Sequence, residues 1–166
     1  MKLSIRSYKT GEVLSSADVD SIKTLVQMAA RSRSLDGADL IGVDLSGIIF
    51  GMSAKENNGL GSWWAGLRGA KLCGSDLSGC QFFRTDLIEA DFSGACLAGS
   101  QFYRTPMDRA NFFRANLTST HFHKGEFKDT NFNRADLTGA HFAPNKWGQP
   151  NLDGAIVMPR ALRKAA

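Results

Sequence analysis

Three pairs of neighbouring side chains recur at an interval of twenty residues: Phe83-Arg84, Tyr103-Arg104 and His123-Lys124. Each pair sets a flat ring beside a cation. Rings stack on nucleobases while guanidinium and ammonium groups neutralise phosphate, so the pattern suits a single-stranded nucleic acid. The same six side chains suit an acidic protein surface, because contiguous exposed aromatics mark interaction sites. The pattern also arises without any ligand where a repetitive surface stacks each side chain on the last and Arg packs over rings. A second feature is Trp63-Trp64, set in a Gly/Asn-rich stretch. Paired Trp residues anchor interfaces; the alternative is that they fold back over a wall of the protein.

Other chemistry lacks its parts. His121 and His141 are twenty residues apart, with His123 close by, but no carboxylate or thiolate accompanies them and no second shell is evident, so no metal site is assigned. There is no GxGxxG, HExxH or GxSxG motif, and the expectation is a protein that is not an enzyme and binds no cofactor.

The elements that position these residues follow from a second beat. Every fifth residue from Leu67 to Val157 is apolar, nineteen in all, including Leu77, Phe82, Leu87, Phe92, Leu97, Phe102, Met107 and Phe112. A helix repeats near 3.6 and a strand at 2, so a strict period of five fits neither. The chain must bend at regular intervals and return each fifth side chain to one interior, as a solenoid does. The twenty-residue recurrence makes four sides per coil. Phe82, Phe102, Phe122 and Phe142 then form one inner column, and Leu67, Leu87, Met107, Phe127 and Trp147 another that grows in size. Between coils the spacing is that of strands, about 4.8 Å. The residues flanking each inward one face out, which places Phe83, Tyr103 and His123 in an exterior ladder beside Arg84, Arg104 and Lys124, with no acidic residue in the patch.

Segments such as GADLIG, GSDLSG, EADFSG, RANFFR, RANLTS and RADLTG carry an A-(D/N)-(L/F)-x-x unit. Over residues 35–157 the chain resembles the pentapeptide-repeat family. The resemblance implies an all-β solenoid, a right-handed quadrilateral β-helix, in which the residue two before each central one also points inward and must be small. Ala70, Ala90, Ala95, Ala110 and Ala115 supply that slot, with Ser75, Cys80, Thr85 and Thr105. Asn145 and Pro150 depart from the unit, and the last coil is expected to be looser.

Residues 1–34 do not carry the repeat. Alternating stretches around Thr10-Gly11 predict a hairpin. Asp18 is a candidate cap for a following helix with Val19, Ile22, Leu25, Val26 and Ala29 on one face. Hairpin and helix would cap the solenoid and hide its first strand edges. The repeat opens with Leu35, Leu40, Leu45 and Phe50, then slips: Phe50 to Leu67 is seventeen residues instead of five, so twelve are extra. Residues 51–66 are therefore read as a loop ejected from the stack, tipped by Trp63-Trp64. Residues 158–166 form a basic tail, and an open coil end there offers a template for a second copy of the chain.

The 166 residues make one domain with net charge +4 and a pI near 9.1, a balance that fits an anionic partner. No apolar run is long enough to cross a bilayer. With three cysteines, no CxxC and no signal-peptide pattern, the expected location is cytoplasmic. The opening residues also resemble the start of phage and prophage pentapeptide-repeat proteins. That resemblance implies an inhibitor of a host nucleic-acid-processing or defence complex, of anti-CRISPR or anti-restriction type, acting by protein contact. Direct nucleic-acid binding through the aromatic–basic face is one alternative. Mimicry of DNA towards a type II topoisomerase is another, disfavoured by the basic pI but offered a local acidic face at Asp86, Glu89, Asp108, Glu126 and Asp129.

Overall fold

An inward side chain every fifth residue needs a backbone that turns a corner every fifth residue, and the computed structural model shows how. It describes residues 2–7, 9–18, 21–31, 35–51, 65–143, 148 and 150–156. At each corner the residue two after the inward one takes a left-handed conformation, as at Gly69, Gly74 and Gly79 with φ of 63° to 65°. Each such turn redirects the chain, and coils then pair in parallel. The N–H of Leu72 donates to the carbonyl of Asp91 at 2.7 Å, and that of Asp91 to Ala70 at 2.9 Å. The result is the expected right-handed quadrilateral β-helix.

Regular strands gather on one wall. There β3 (Ile49–Phe50), β5 (Gln81–Phe83), β7 (Gln101–Tyr103), β8 (His121–His123) and β9 (His141–Phe142) form a five-stranded parallel sheet. A shorter pair, β4 (Ala65–Gly66) with β6 (Thr85–Asp86), starts the next wall. Elsewhere coils meet through single bridges such as Asp91 to Asn111. Behind the five-stranded wall Phe50, Phe82, Phe102, Phe122 and Phe142 stack ring on ring at 4.6 to 4.9 Å. Phe92, Phe112 and Phe132 make a parallel column at 4.9 and 5.1 Å, meeting the first edge-on. Offset-stacked and edge-to-face contacts are the favoured aromatic geometries, so the columns support each other.

The small slots are filled as the repeat requires, and most of their hydroxyls are satisfied internally, whereas the buried Thr85 Oγ1 has no hydrogen-bond partner among the described residues. Ser100 Oγ donates to Leu77 O at 2.7 Å, Thr105 Oγ1 to Phe82 O at 2.9 Å and Thr130 Oγ1 to Met107 O at 2.8 Å. Gly125 stands where Phe127 has outgrown its column: a Cβ there would meet Met107 Cε at 2.9 Å.

The slip in register is absorbed cleanly. Phe50 pairs with Phe82 and Asp44 with Asp76, offsets of 32 against the usual 20, which is the expected excess of twelve. The excess falls more tightly than the reading 51–66 allowed. Ala65 and Gly66 are buried and paired in β4, because Ala65 occupies the small inward slot beside Thr85. Gly51 also belongs to the wall: at φ 76°, a Cβ on it would run into the carbonyl oxygen of Phe83.

At the other side of the first coil, β1 (Lys2–Arg6) and β2 (Val13–Asp18) form the antiparallel hairpin. Helix α1 (Ile22–Arg31) buries Leu25, Val26 and Ala29. Its cap is Ser21, not Asp18, which closes β2; Ser21 Oγ accepts from the N–H of Thr24 at 3.3 Å. The hairpin joins the first coil through a Ser7–Ala38 bridge, and Asp39 donates its N–H to Arg6 O at 2.8 Å. No helix among the described residues is long and apolar enough to cross a membrane.

Candidate functional site

The five-stranded wall carries the ring–cation pairs. Parallel register aligns Phe83 with Tyr103 and Tyr103 with His123, so the exterior ladder forms. Phe83 and Tyr103 sit 6.1 Å apart with planes tilted by 55°, whereas Tyr103 and His123 stack at 5.0 Å and 6°. Arg104 lies over the Tyr103 ring at 5.6 Å. Tyr103 and His123 thus spend a face on each other, whereas Phe83 stands tilted against Tyr103.

Arg84, Arg104 and Lys124 follow their strands at the corner, where φ is 48°, 52° and 56°. Left-handed backbone costs a side-chain-bearing residue roughly 1–2 kcal/mol. The equivalent corners after Leu77, Leu97 and Leu137 use Gly79, Gly99 and Gly139 and avoid that cost. Six further non-Gly residues share the left-handed conformation, among them Glu89, Arg109, Ser119 and Asp129, so it belongs to the repeat and does not by itself single out these three.

Neighbouring cations show what a structural use looks like. Arg109, also left-handed, donates from Nε to Glu89 at 3.0 Å. Arg68 pairs with Asp86 at 3.0 Å, Lys71 with Asp91 at 3.0 Å, and Arg114 lies over Phe113. Among the described residues, no carboxylate pairs with Arg84, Arg104 or Lys124. These three instead line an open groove of about 530 Å³ together with Pro106 and Glu126.

Pro106 and Glu126 were not legible as site residues. They belong to the adjoining side, one position before Met107 and Phe127, and the corner folds them against the cations. The patch is therefore not free of acid as expected. Two carboxylates of the local acidic face are ion-paired, Asp86 with Arg68 and Glu89 with Arg109, while Asp108 accepts the backbone N–H of Lys128 at 2.9 Å. Trp63 and Trp64 lie outside the described residues.

His121 and His141 stand 5.8 Å apart, tilted by 37°. Among the described residues no group of three or more His, Cys, Asp or Glu side chains is placed to hold a metal. Cys73, Cys80 and Cys96 are free thiols. Burial pushes the Cys80 thiol up to about 12, so it acts as a small apolar filler whose Sγ reaches Leu45 O at 3.0 Å.

On the opposite wall a polar ladder runs outside the core. Asp91 accepts from Lys71 Nζ at 3.0 Å and from Asn111 Nδ2 at 3.0 Å, and Asn131 Nδ2 donates to Asn111 at 2.9 Å. Burial alone would raise the Asp91 carboxyl, but hydrogen bonds from Lys71 and Ser93 outweigh it and hold it at about 2.

Comparison with known proteins agrees with this geometry. Residues 65–102 and 109–143 match the family described as pentapeptide repeats, in eight copies. Among solved structures, the chain is similar to a pentapeptide repeat protein of the Arabidopsis thaliana thylakoid lumen, at 21% identity and a TM-score of 0.36, covering 59% of this chain and 74% of that one. It is similar to Rfr23 of the cyanobacterium Cyanothece 51142, at 17% identity and a TM-score of 0.30, covering 72% and 88%. A third is QnrB1, a plasmid-mediated fluoroquinolone resistance protein, at 16% identity and a TM-score of 0.40, covering 70% and 61%. No curated protein matches. With repeat, register and corner geometry in agreement, residues 65–143 are a run of pentapeptide repeats.

Proposed function

We propose that the protein is a non-enzymatic binding scaffold that docks an acidic protein surface on its five-stranded wall. One observation carries this reading: Arg84, Arg104 and Lys124 line one groove with no carboxylate partner among the described residues. A rigid sheet presents them already ordered, which lowers the entropy that binding must offset. The basic pI near 9.1, with Asp86 and Glu89 of the adjoining side already ion-paired, argues against mimicry of DNA. We place the protein in the cytoplasm, as an inhibitor or modulator of a host nucleic-acid-processing or defence complex. That finer assignment rests on the resemblance of the opening residues to phage and prophage proteins.

The test is fluorescence anisotropy of labelled single-stranded DNA, duplex DNA and RNA at two salt concentrations. The expected result is weak binding, alike for all three and abolished by salt. Tight binding that disappears on replacing Arg84, Arg104 and Lys124 would instead make the groove a nucleic-acid site.

A further inference from the structure

We infer that the groove receives an acidic α-helix of the partner protein, lying parallel to the β-helix axis with carboxylates at i, i+4 and i+7. This deepens the reading just given and rests on it.

Spacing selects the helix. The three cations come from successive coils, and ring stacks on this wall fix the coil step at 4.7 to 5.0 Å. Two steps therefore span roughly 10 Å, if strand-like spacing of about 4.8 Å is taken for each. Along an α-helix, seven residues rise about 10.5 Å, so three carboxylates on one stripe meet three cations nearly in register. An extended segment repeats its same-face side chains every 6.6 to 6.8 Å or so, and three of them span about 13 Å. The extended form overshoots by several ångströms; the helix fits within the reach of Arg and Lys arms.

Charge and shape point the same way. The groove holds three cations against Glu126, with Pro106 as an apolar contact, while the chain as a whole carries +4. A helix brings carboxylates on one stripe and aliphatic side chains beside it, matching cations and Pro106 together. A single nucleic-acid strand would need open ring faces, and Tyr103 has His123 on one of them at 5.0 Å and Arg104 over its ring at 5.6 Å.

The experiment uses the full chain and two fluorescent peptides of identical composition in a helix-forming Ala/Gln background. One carries Glu on a single i, i+4, i+7 stripe; the other disperses the same Glu residues around the helix. A labelled oligothymidylate is the third probe. Anisotropy should show the striped peptide binding at least about tenfold more tightly than its isomer. Added salt should weaken it, and the triple variant Arg84→Gly, Arg104→Gly, Lys124→Gly should lose it. Glycine suits these corners, so the variant keeps its fold, which a thermal melt checks. Equal binding of both peptides, stronger binding of the oligonucleotide, or retained binding by the triple variant overturns the inference. Should the two peptides bind alike while capture of a partner still depends on the three cations, the helix falls and the protein-docking reading stands.

Discussion

Tyr103 and His123 lie ring on ring, 5.0 Å between centroids and 6° between planes, on the outside of the β-helix. A ring already stacked has little face left for a base. Replacing Tyr103 with Leu should therefore leave nucleic-acid affinity unchanged in anisotropy. It should cost about 0.5–1.5 kcal/mol of stability, the worth of the lost aromatic pair. A large drop in oligonucleotide binding would show that the ring faces are used after all.

The corner cations set stability against function. Arg84, Arg104 and Lys124 occupy left-handed backbone, where Gly relieves roughly 1–2 kcal/mol of strain but adds about 0.5–1 kcal/mol of unfolded-state entropy. Each Gly substitution should leave the melting temperature unchanged or slightly raised. Partner binding should fall with each change. A clear loss of stability would show that these side chains serve the fold.

Register makes a sharper forecast. Because Phe50 pairs with Phe82 and Ala65 with Thr85, deleting residues 52–63 removes the twelve extra residues and joins Gly51 to Trp64 in the regular beat. The shortened protein should melt cooperatively within a few degrees of the parent. Loss of folding would mean that the excess supports the first coil.

Acid sensitivity should trace in part to Asp91, since the Asp44 carboxyl, hydrogen-bonded by Ser46 and Lys23, is also held at about 2. The Asp91 carboxyl is lowered from 3.8 to about 2, so folding binds fewer protons than unfolding in that range. The stability it contributes is complete above about pH 4 and is lost as pH falls through 2. Asp91→Asn should flatten denaturant stability between those values and cost about 1–3 kcal/mol at neutral pH, since Lys71 loses a charged partner. A slope unchanged from the parent would assign the acid sensitivity elsewhere.

In the core, Phe102 stacks between Phe82 and Phe122 at 4.7 and 4.8 Å. Phe102→Ala should cost about 3–5 kcal/mol in chemical denaturation, because neighbouring coils cannot collapse into the gap without breaking register. A cost below about 1 kcal/mol would show the stack to be plastic.

The fold was readable in the sequence because a period of five leaves its mark on every coil, and one apolar residue out of phase would have broken it. Even the excess of twelve between Phe50 and Leu67 emerged as a pairing offset of 32. The site was readable in half. Phe83, Arg84, Tyr103, Arg104, His123 and Lys124 share a strand beat, so their alignment was computable from spacing. Pro106 and Glu126 reach the same groove across a corner, and the angle of a corner is a three-dimensional quantity that a linear beat does not carry. Ser21 takes the cap in place of Asp18 for a local reason: β2 runs through Asp18, whereas Ser21 directly precedes the helix that starts at Ile22.

The most direct measurement is side-by-side capture from a cell lysate by immobilised parent and by the Arg84→Gly, Arg104→Gly, Lys124→Gly variant, with and without nuclease. The expected result is a protein retained by the parent, absent from the variant of equal melting temperature, and indifferent to nuclease. A protein held equally by both, or released by nuclease, would contradict a groove built to dock an acidic protein surface.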